Sequence, residues 1–303
     1  TYTGTTTING GTLQLGNATT TGAISSSSNI INNGTLAFNR SGSSTFSNNI
    51  TGTGSLISRG STLTLSGNNS YSGGTTIFEN TTILGADNAI GTGNLSFSAT
   101  ATNVSSALRL NGRNQTISGL GSISMNGGGA IIENHGGGTG VLTFNLADGV
   151  SNSAPSNFIL RDINTGGTGN LAIVKTGNGT LILSNSHSST NYSGGLTVNQ
   201  GVLSYDNTRA LGNSTAGGTI TLGGGNLSYS GSATVTIANN ATLTAGTTST
   251  LNNAAGTVTY SGIIDGSGNL TKTGAGTLTL SNNNAFAGGI TLGAGQLVLA
   301  GQN

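Results

Sequence analysis

Thr62-Leu63-Thr64-Leu65-Ser66-Gly67-Asn68-Asn69-Ser70-Tyr71-Ser72-Gly73-Gly74-Thr75-Thr76-Ile77 reads as two short strands joined by a turn. Threonine alternates with leucine from 62 to 65, which gives a strand one apolar face. Gly67-Asn68-Asn69 and Gly73-Gly74 are residue types that tolerate positive φ, so the chain can turn there. Tyr71 stands six positions ahead of Ile77, and the same offset recurs at Tyr2 and Ile8, Tyr192 and Val198, and Phe286 and Leu292. Three of the four copies place a leucine five positions further on, at Leu13, Leu203 and Leu297, while the remaining copy has Thr82 there. An aromatic, a glycine turn and two aliphatics at fixed offsets are what a solenoid needs when the same side chains must stack in one layer. The spacing therefore predicts that the four aromatics face inward.

Spacing also sets the architecture. Gly276 to Gly295 is 19 positions, Gly60 to Asn80 is 20, and Gly179 to Gly201 is 22. A unit of that length holding two or three short strands fits one coil of an all-β, right-handed parallel β-helix. A sandwich or an up-and-down barrel would need hairpins at shorter intervals, and no segment carries a sustained 3.6-residue apolar period. The 303 residues are read as one β-helical repeat domain, 1–303, of about 14 or 15 coils. Residues 98–169 hold the single proline, Pro155, and two triple-glycine runs, and are expected to be less regular coils with longer loops.

Composition narrows the function classes. Charged residues make up 5% of the chain, against roughly 25% in an ordinary soluble domain, so Ser, Thr and Asn must cover the surface. The eight Lys and Arg are scattered from Arg40 to Lys272, without the clusters that track phosphates, so no nucleic-acid partner is expected. Cysteine is absent, which excludes disulfides and thiolate metal sites. It also suits a polypeptide that crosses a membrane unfolded, since an oxidising compartment would otherwise close disulfides first. No apolar stretch reaches 18 residues, and no charged segment followed by an apolar run opens the chain, so a signal peptide is expected to be removed or to lie outside this segment.

The segment Gly52-Thr53-Gly54-Ser55-Leu56, followed by residues 62–77 quoted above, resembles the passenger-associated transport repeat of autotransporters of Gram-negative bacteria. The segments from Gly169 to Val198 and from Gly268 to Leu292 are similar, and Asn33 to Ser41 and Leu108 to Ile117 resemble stretches between such repeats. The resemblance implies a β-helical passenger exported through an outer-membrane β-barrel translocator and displayed or released at the cell surface. No strands of a translocator barrel are present in the sequence. Neither Thr1 to Leu15 nor Gln296 to Asn303 carries a capping element, so both ends are expected to continue, into flanking repeats or end-to-end copies of the chain.

The inventory of groups able to do acid–base chemistry is short: Glu79, Asp87, Glu133, Asp148, Asp162, Asp206, Asp265, His135 and His187. There is no Gly-x-Ser-x-Gly elbow. Asp206 with Arg209, or Arg161 with Asp162, is the nearest approach to a polysaccharide-cleaving pair, and each reads more simply as a surface pair on a turn. Asp265-Gly266-Ser267-Gly268-Asn269 opens like a calcium loop but has Gly276 where the bidentate acid belongs. Glu133 and His135 fall on one strand face without a third ligand. No catalytic, cofactor-binding or metal site and no cofactor is therefore assigned. The expected function is a structural, surface-exposed rod for display, adhesion or extracellular fibre formation, with surface glycans or a neighbouring cell surface as possible partners. The alternative is a carbohydrate-binding or polysaccharide-cleaving β-helix, with its cleft in the irregular segment from Ser98 to Gly169.

Overall fold

The structure, a computed structural model, describes residues 3–162, 169–183, 189–214 and 218–301. It consists of short strands, two to eight residues long, and the single helical element among the described residues is the 3-10 turn Thr208–Leu211. Strands pair in parallel with the strand one turn further along the chain, as in Leu63–Leu65 against Thr81–Leu84. The chain is thus a parallel β-solenoid of about 12 turns. The count falls below the expected 14 or 15 because the turns lengthen. Leu56 pairs with Thr75, 19 positions on, but Leu203 pairs with Leu227, 24 positions on, and Ala130 with Phe158, 28 positions on.

Two compact units make up the chain. In the first, residues 1–143 and 157–170, one sheet stacks Ser44–Phe46, Leu63–Leu65, Thr81–Leu84, Ser106–Arg109, Ala130–Asn134 and Phe158–Asp162. A second sheet stacks Thr12–Thr19, Thr35–Arg40, Ser55–Gly60, Thr75–Phe78, Leu95–Ala99 and Leu120–Met125. In the second unit, residues 144–156 and 171–303, the longest sheet runs from Ser151–Ser153 through Thr180–Leu183, Val202–Tyr205, Asn226–Tyr229, Thr248–Asn253 and Asn269–Thr273 to Ile290–Leu292.

Alternation decides which side chains enter the core. Leu63 and Leu65 are buried while Thr64 between them is only half-buried, and Leu278 and Leu280 flank Thr279 in the same way. Register stacking then places like on like: Leu181 over Leu203 over Leu227, and Tyr205 over Tyr229 with ring centroids 5.4 Å apart. Burying such columns supplies the hydrophobic drive. The corners need another device, since backbone groups there leave the strand ladder. Buried amides bridge them. Asn69 accepts from the Ile50 N–H at 2.9 Å and donates to the Ala89 carbonyl at 2.6 Å, linking the turns on either side. Gln115 is tied to the preceding turn alone, accepting from the Ile90 N–H and donating to the Gly91 carbonyl.

The inward placement of the repeat aromatics holds for Tyr71 and Tyr192, both fully buried beside buried Ile77 and Val198. It does not hold for the last copy: Phe286 is half-buried and Leu292 is 53% exposed. An inward side chain is covered by the turns on both sides, and Ile290–Leu292 closes its sheet with a neighbour on one side only. Tyr2 lies outside the described residues, although Ile8 of its copy is buried. Each buried tyrosine is seated against a glycine 20 positions on. A Cβ at Gly91 would stand 2.4 Å from the Tyr71 carbonyl oxygen, and one at Gly212 would stand 2.8 Å from that of Tyr192. Both glycines also have positive φ, so the ring's seat admits no side chain.

Candidate functional site

The charges form two buried arrangements. On Ser106–Arg109, Ala130–Asn134 and Phe158–Asp162, register pairing sets Arg109, Glu133 and Arg161 in one column across three turns. Arg109 Nε donates to Glu133 Oε1 at 2.9 Å, and Arg161 Nε and Nη2 approach Oε2 at 2.9 and 2.7 Å. His135 Nε2 lies 2.9 Å from Oε1. The Glu133 side chain is 2% exposed, so the carboxylate is shut away from water and surrounded by donors. Burial raises its pKa, the Arg161 and Arg109 hydrogen bonds lower it, and the net effect holds the carboxyl below its usual range.

This column corrects the reading of Arg161 with Asp162 as a surface pair. Arg161 points to Glu133 of the preceding turn, because strand alternation sends neighbouring residues to opposite faces. Glu133 and His135 do share a strand face, but two guanidinium groups occupy the lone pairs that a metal would need. Among the described residues no three of His, Cys, Asp and Glu converge.

Sequence reasoning missed the second arrangement. Lys175 and Lys272 are fully buried, and each ammonium donates to three backbone carbonyls. Lys175 Nζ reaches Thr176 O at 2.8 Å, Gly177 O at 2.7 Å and Gln200 O, one turn on, at 3.2 Å. Lys272 Nζ reaches Thr273, Gly274 and Ala294 at 2.6, 2.8 and 3.2 Å. Three donors meet three acceptors, so the charge sits in the interior with its hydrogen-bonding capacity filled. Burial still pushes Lys175 down to about 8 and shifts Lys272 in the same direction. The signal was in the sequence: Lys-Thr-Gly-x-Gly-Thr-Leu occurs at 175–181 and again at 272–278. In the first unit the corresponding inward position is Ser58, and the polarity is distributed differently. Asn80 Nδ2 and Thr82 Oγ1 both donate to Ser58 Oγ, at 2.7 and 2.8 Å, and Asn80 also reaches the Ser61 carbonyl. This explains why Thr82 replaces the leucine of the other copies: it is fully buried but partnered.

The remaining acids are spread out. Glu79, at φ 52°, accepts from the Thr100 and Ala101 N–H groups at 2.6 and 2.7 Å, and the Ala101 bond foremost lowers its pKa. Asp87 accepts from Asn114 N, Asp148 from Gly149 N, and Asp206 from Asn207 Nδ2. Asp265 is exposed on Ile264–Gly266 beside Thr242. His187 lies outside the described residues. The irregular stretch from Ser98 to Gly169 contributes the Glu133 column and no gathering of acids among its described residues.

The second unit has a cleft of about 320 Å³ around the 3-10 turn, lined by Thr190, Asn191, Arg209, Asn213, Thr236 and Asn239 among others. Asn207 caps that turn by accepting from Arg209 N–H, and the turn lifts Arg209 onto the surface while Ala210 and Leu211 stay buried. Thr190 and Asn239 are buried; Asn191, Arg209 and Thr236 are exposed. Asn239 Nδ2 is anchored on the Gly218 carbonyl at 2.7 Å. Arg209 lines this cleft and Asp206 does not.

The passenger-associated-transport-repeat family matches the chain at residues 1–15, 60–79, 173–204 and 270–299. These segments contain Tyr2, Tyr71, Tyr192 and Phe286, and two of them contain the buried lysines. The chain carries passenger-associated-transport repeats, as the resemblance implied, and they recur along the solenoid. No curated protein and no solved structure matches the chain.

Proposed function

We propose that this chain is the passenger of an autotransporter, exposed on or released from the surface of a Gram-negative bacterium, where its solenoid acts as a non-catalytic scaffold for display, adhesion or fibre formation. The observation that carries this reading is the coincidence of transport repeats with solenoid turns at four places, a combination that suits such a passenger. Its partners in this reading are an outer-membrane β-barrel translocator during export, then flanking repeats or further copies of the chain, and a glycan or cell surface.

Two features support the absence of catalysis. The one deeply buried carboxylate, Glu133, is held ionised by Arg109 and Arg161, which leaves it neither a proton to give nor a lone pair to attack with. Glu79, Asp87, Asp148 and Asp206 are each engaged at a different place along the chain, whereas glycoside cleavage uses two carboxyl groups facing one bond. Antibody labelling of intact producing cells, with and without protease treatment, tests the location: a surface signal removed by protease supports display, and a signal only after lysis refutes it. Turnover of any polysaccharide, abolished by Glu133→Gln or Asp206→Asn, would overturn the scaffold assignment.

A further inference from the structure

Tyr260 is buried in the second unit with its hydroxyl unmatched by the protein around it. Its strand, Thr257–Tyr260, lies between Thr234–Ile237 and Thr277–Leu280, and the register sets Tyr260 between Ile237 and Leu280. Both neighbours are buried and apolar, so neither side chain can donate or accept. The other wholly buried tyrosines are served by their own surroundings. Tyr71 shares a hydrogen bond with Thr75 Oγ1 at 2.6 Å, Tyr192 donates to the Ala210 carbonyl at 2.7 Å, and Tyr229 donates to the Ala233 carbonyl at 3.2 Å. Tyr260 is 1% exposed, and its hydroxyl oxygen has no hydrogen-bond partner among the described residues. A hydroxyl taken out of water without a replacement bond is a net loss to the fold, and buried polar groups are rarely left so.

A small cavity adjoins the same ring. Tyr205, Asn252, Asn253 and Tyr260 bring polar groups to its lining, between apolar walls that include Leu227 and Leu278. Burial foremost, and then the neighbouring Tyr205, raise the Tyr260 pKa, which sets the two hydroxyls close to one another. The cavity leaves about 10 Å³ for the centre of a water, and a space of about 10–15 Å³ takes a single molecule. Nothing larger fits. A purely apolar cavity of this kind stays dry, but a water needs only roughly two to four polar partners to be held. We propose that the cavity binds one structural water, which completes the hydrogen bonding of the Tyr260 hydroxyl and is held in turn by Tyr205 and Asn253. Water both donates and accepts, so it can join hydroxyls and amides contributed by different turns of the solenoid. The inference concerns the interior of the second unit and stands independently of surface display.

The experiment counts long-lived internal waters by oxygen-17 magnetic relaxation dispersion on the full 303-residue chain and on Tyr260→Phe. The variant removes one oxygen and keeps the ring, so the core packing is preserved. The expected result is one internal water fewer in Tyr260→Phe than in the wild type. Urea unfolding of the same two proteins gives a second readout. Deleting a hydroxyl that a water satisfies should leave the midpoint unchanged or lower it, whereas deleting an orphaned hydroxyl should raise it. A crystal structure of the wild-type chain supplies a measurement that needs no variant, with density for a water expected within hydrogen-bond distance of Tyr260 Oη. The proposal is overturned by equal water counts in the two proteins, by a raised midpoint in Tyr260→Phe, or by a crystal structure in which Tyr260 Oη bonds directly to a protein group.

Discussion

Arg161 and Glu133 stand in register on neighbouring turns of the first unit, with Arg161 Nη2 2.7 Å from Glu133 Oε2. Removing the carboxylate charge strands two cations. Glu133→Gln should therefore cost about 3 kcal/mol, the low end for breaking a buried pair, because Arg109 keeps 34% of its side chain exposed. Urea unfolding measures it. A loss below the error of the method would show the column to be ornamental.

The same column makes stability depend on acid. The folded-state pKa of Glu133 lies below its unfolded value, so its contribution is complete above the ordinary carboxylate range and disappears as pH falls through the folded value. The stability of the wild-type chain should fall on acidification, and Glu133→Gln should flatten that limb. Parallel pH profiles for the two proteins would place the effect elsewhere.

Lys175 gives the opposite dependence. Its folded pKa is about 8 against an ordinary 10.5, so between these values the unfolded chain holds a proton that the folded chain has released. Stability therefore rises with pH across that window. Lys175→Met should remove part of the rise, and Lys272, shifted the same way, should account for a further part. Unfolding midpoints at pH 7.5, 9 and 10.5 check the sign.

Tyr192 and Phe286 occupy equivalent repeat positions but not equivalent environments. Tyr192→Ala should cost roughly 3–5 kcal/mol as a large-to-small change in a closed core, whereas Phe286→Ala, half-exposed in the last turn, should cost much less. Gly212→Ala should destabilise as Tyr192→Ala does, since its Cβ would meet the Tyr192 backbone and its φ is 84°. Equal losses at Tyr192 and Phe286 would contradict the stacking geometry.

Much of this was legible from offsets alone. The six-residue spacing from Tyr71 to Ile77 and from Tyr192 to Val198 places both partners inside, because each of these copies repeats the same sequence of buried aromatic, Gly-Gly turn and short strand with its aliphatic inward. The number of turns was not legible. Turn length was read from the tight repeats at 60–80 and 276–295, while stretches such as Ala130 to Phe158 spend additional residues in loops that leave no periodic trace. The Arg109–Glu133–Arg161 column was invisible for a related reason: its members are 24 and 28 positions apart, and only the strand register brings them together. The lysine clamps failed to register because a charged residue at an inward position contradicts the alternation rule. Three converging carbonyls, which satisfy the ammonium, become apparent only in three dimensions.

The most direct test places the chain ahead of an autotransporter β-barrel in a Gram-negative host and measures the fraction cleaved by protease on intact cells. A companion variant replaces Thr197 and Thr221, register partners 24 positions apart, with cysteine. A passenger that crosses the outer membrane unfolded should reach the surface as the cysteine-free chain, and the double variant should stall in an oxidising periplasm and recover when the disulfide is reduced. Retention of the cysteine-free chain inside the cell would contradict its assignment as a passenger.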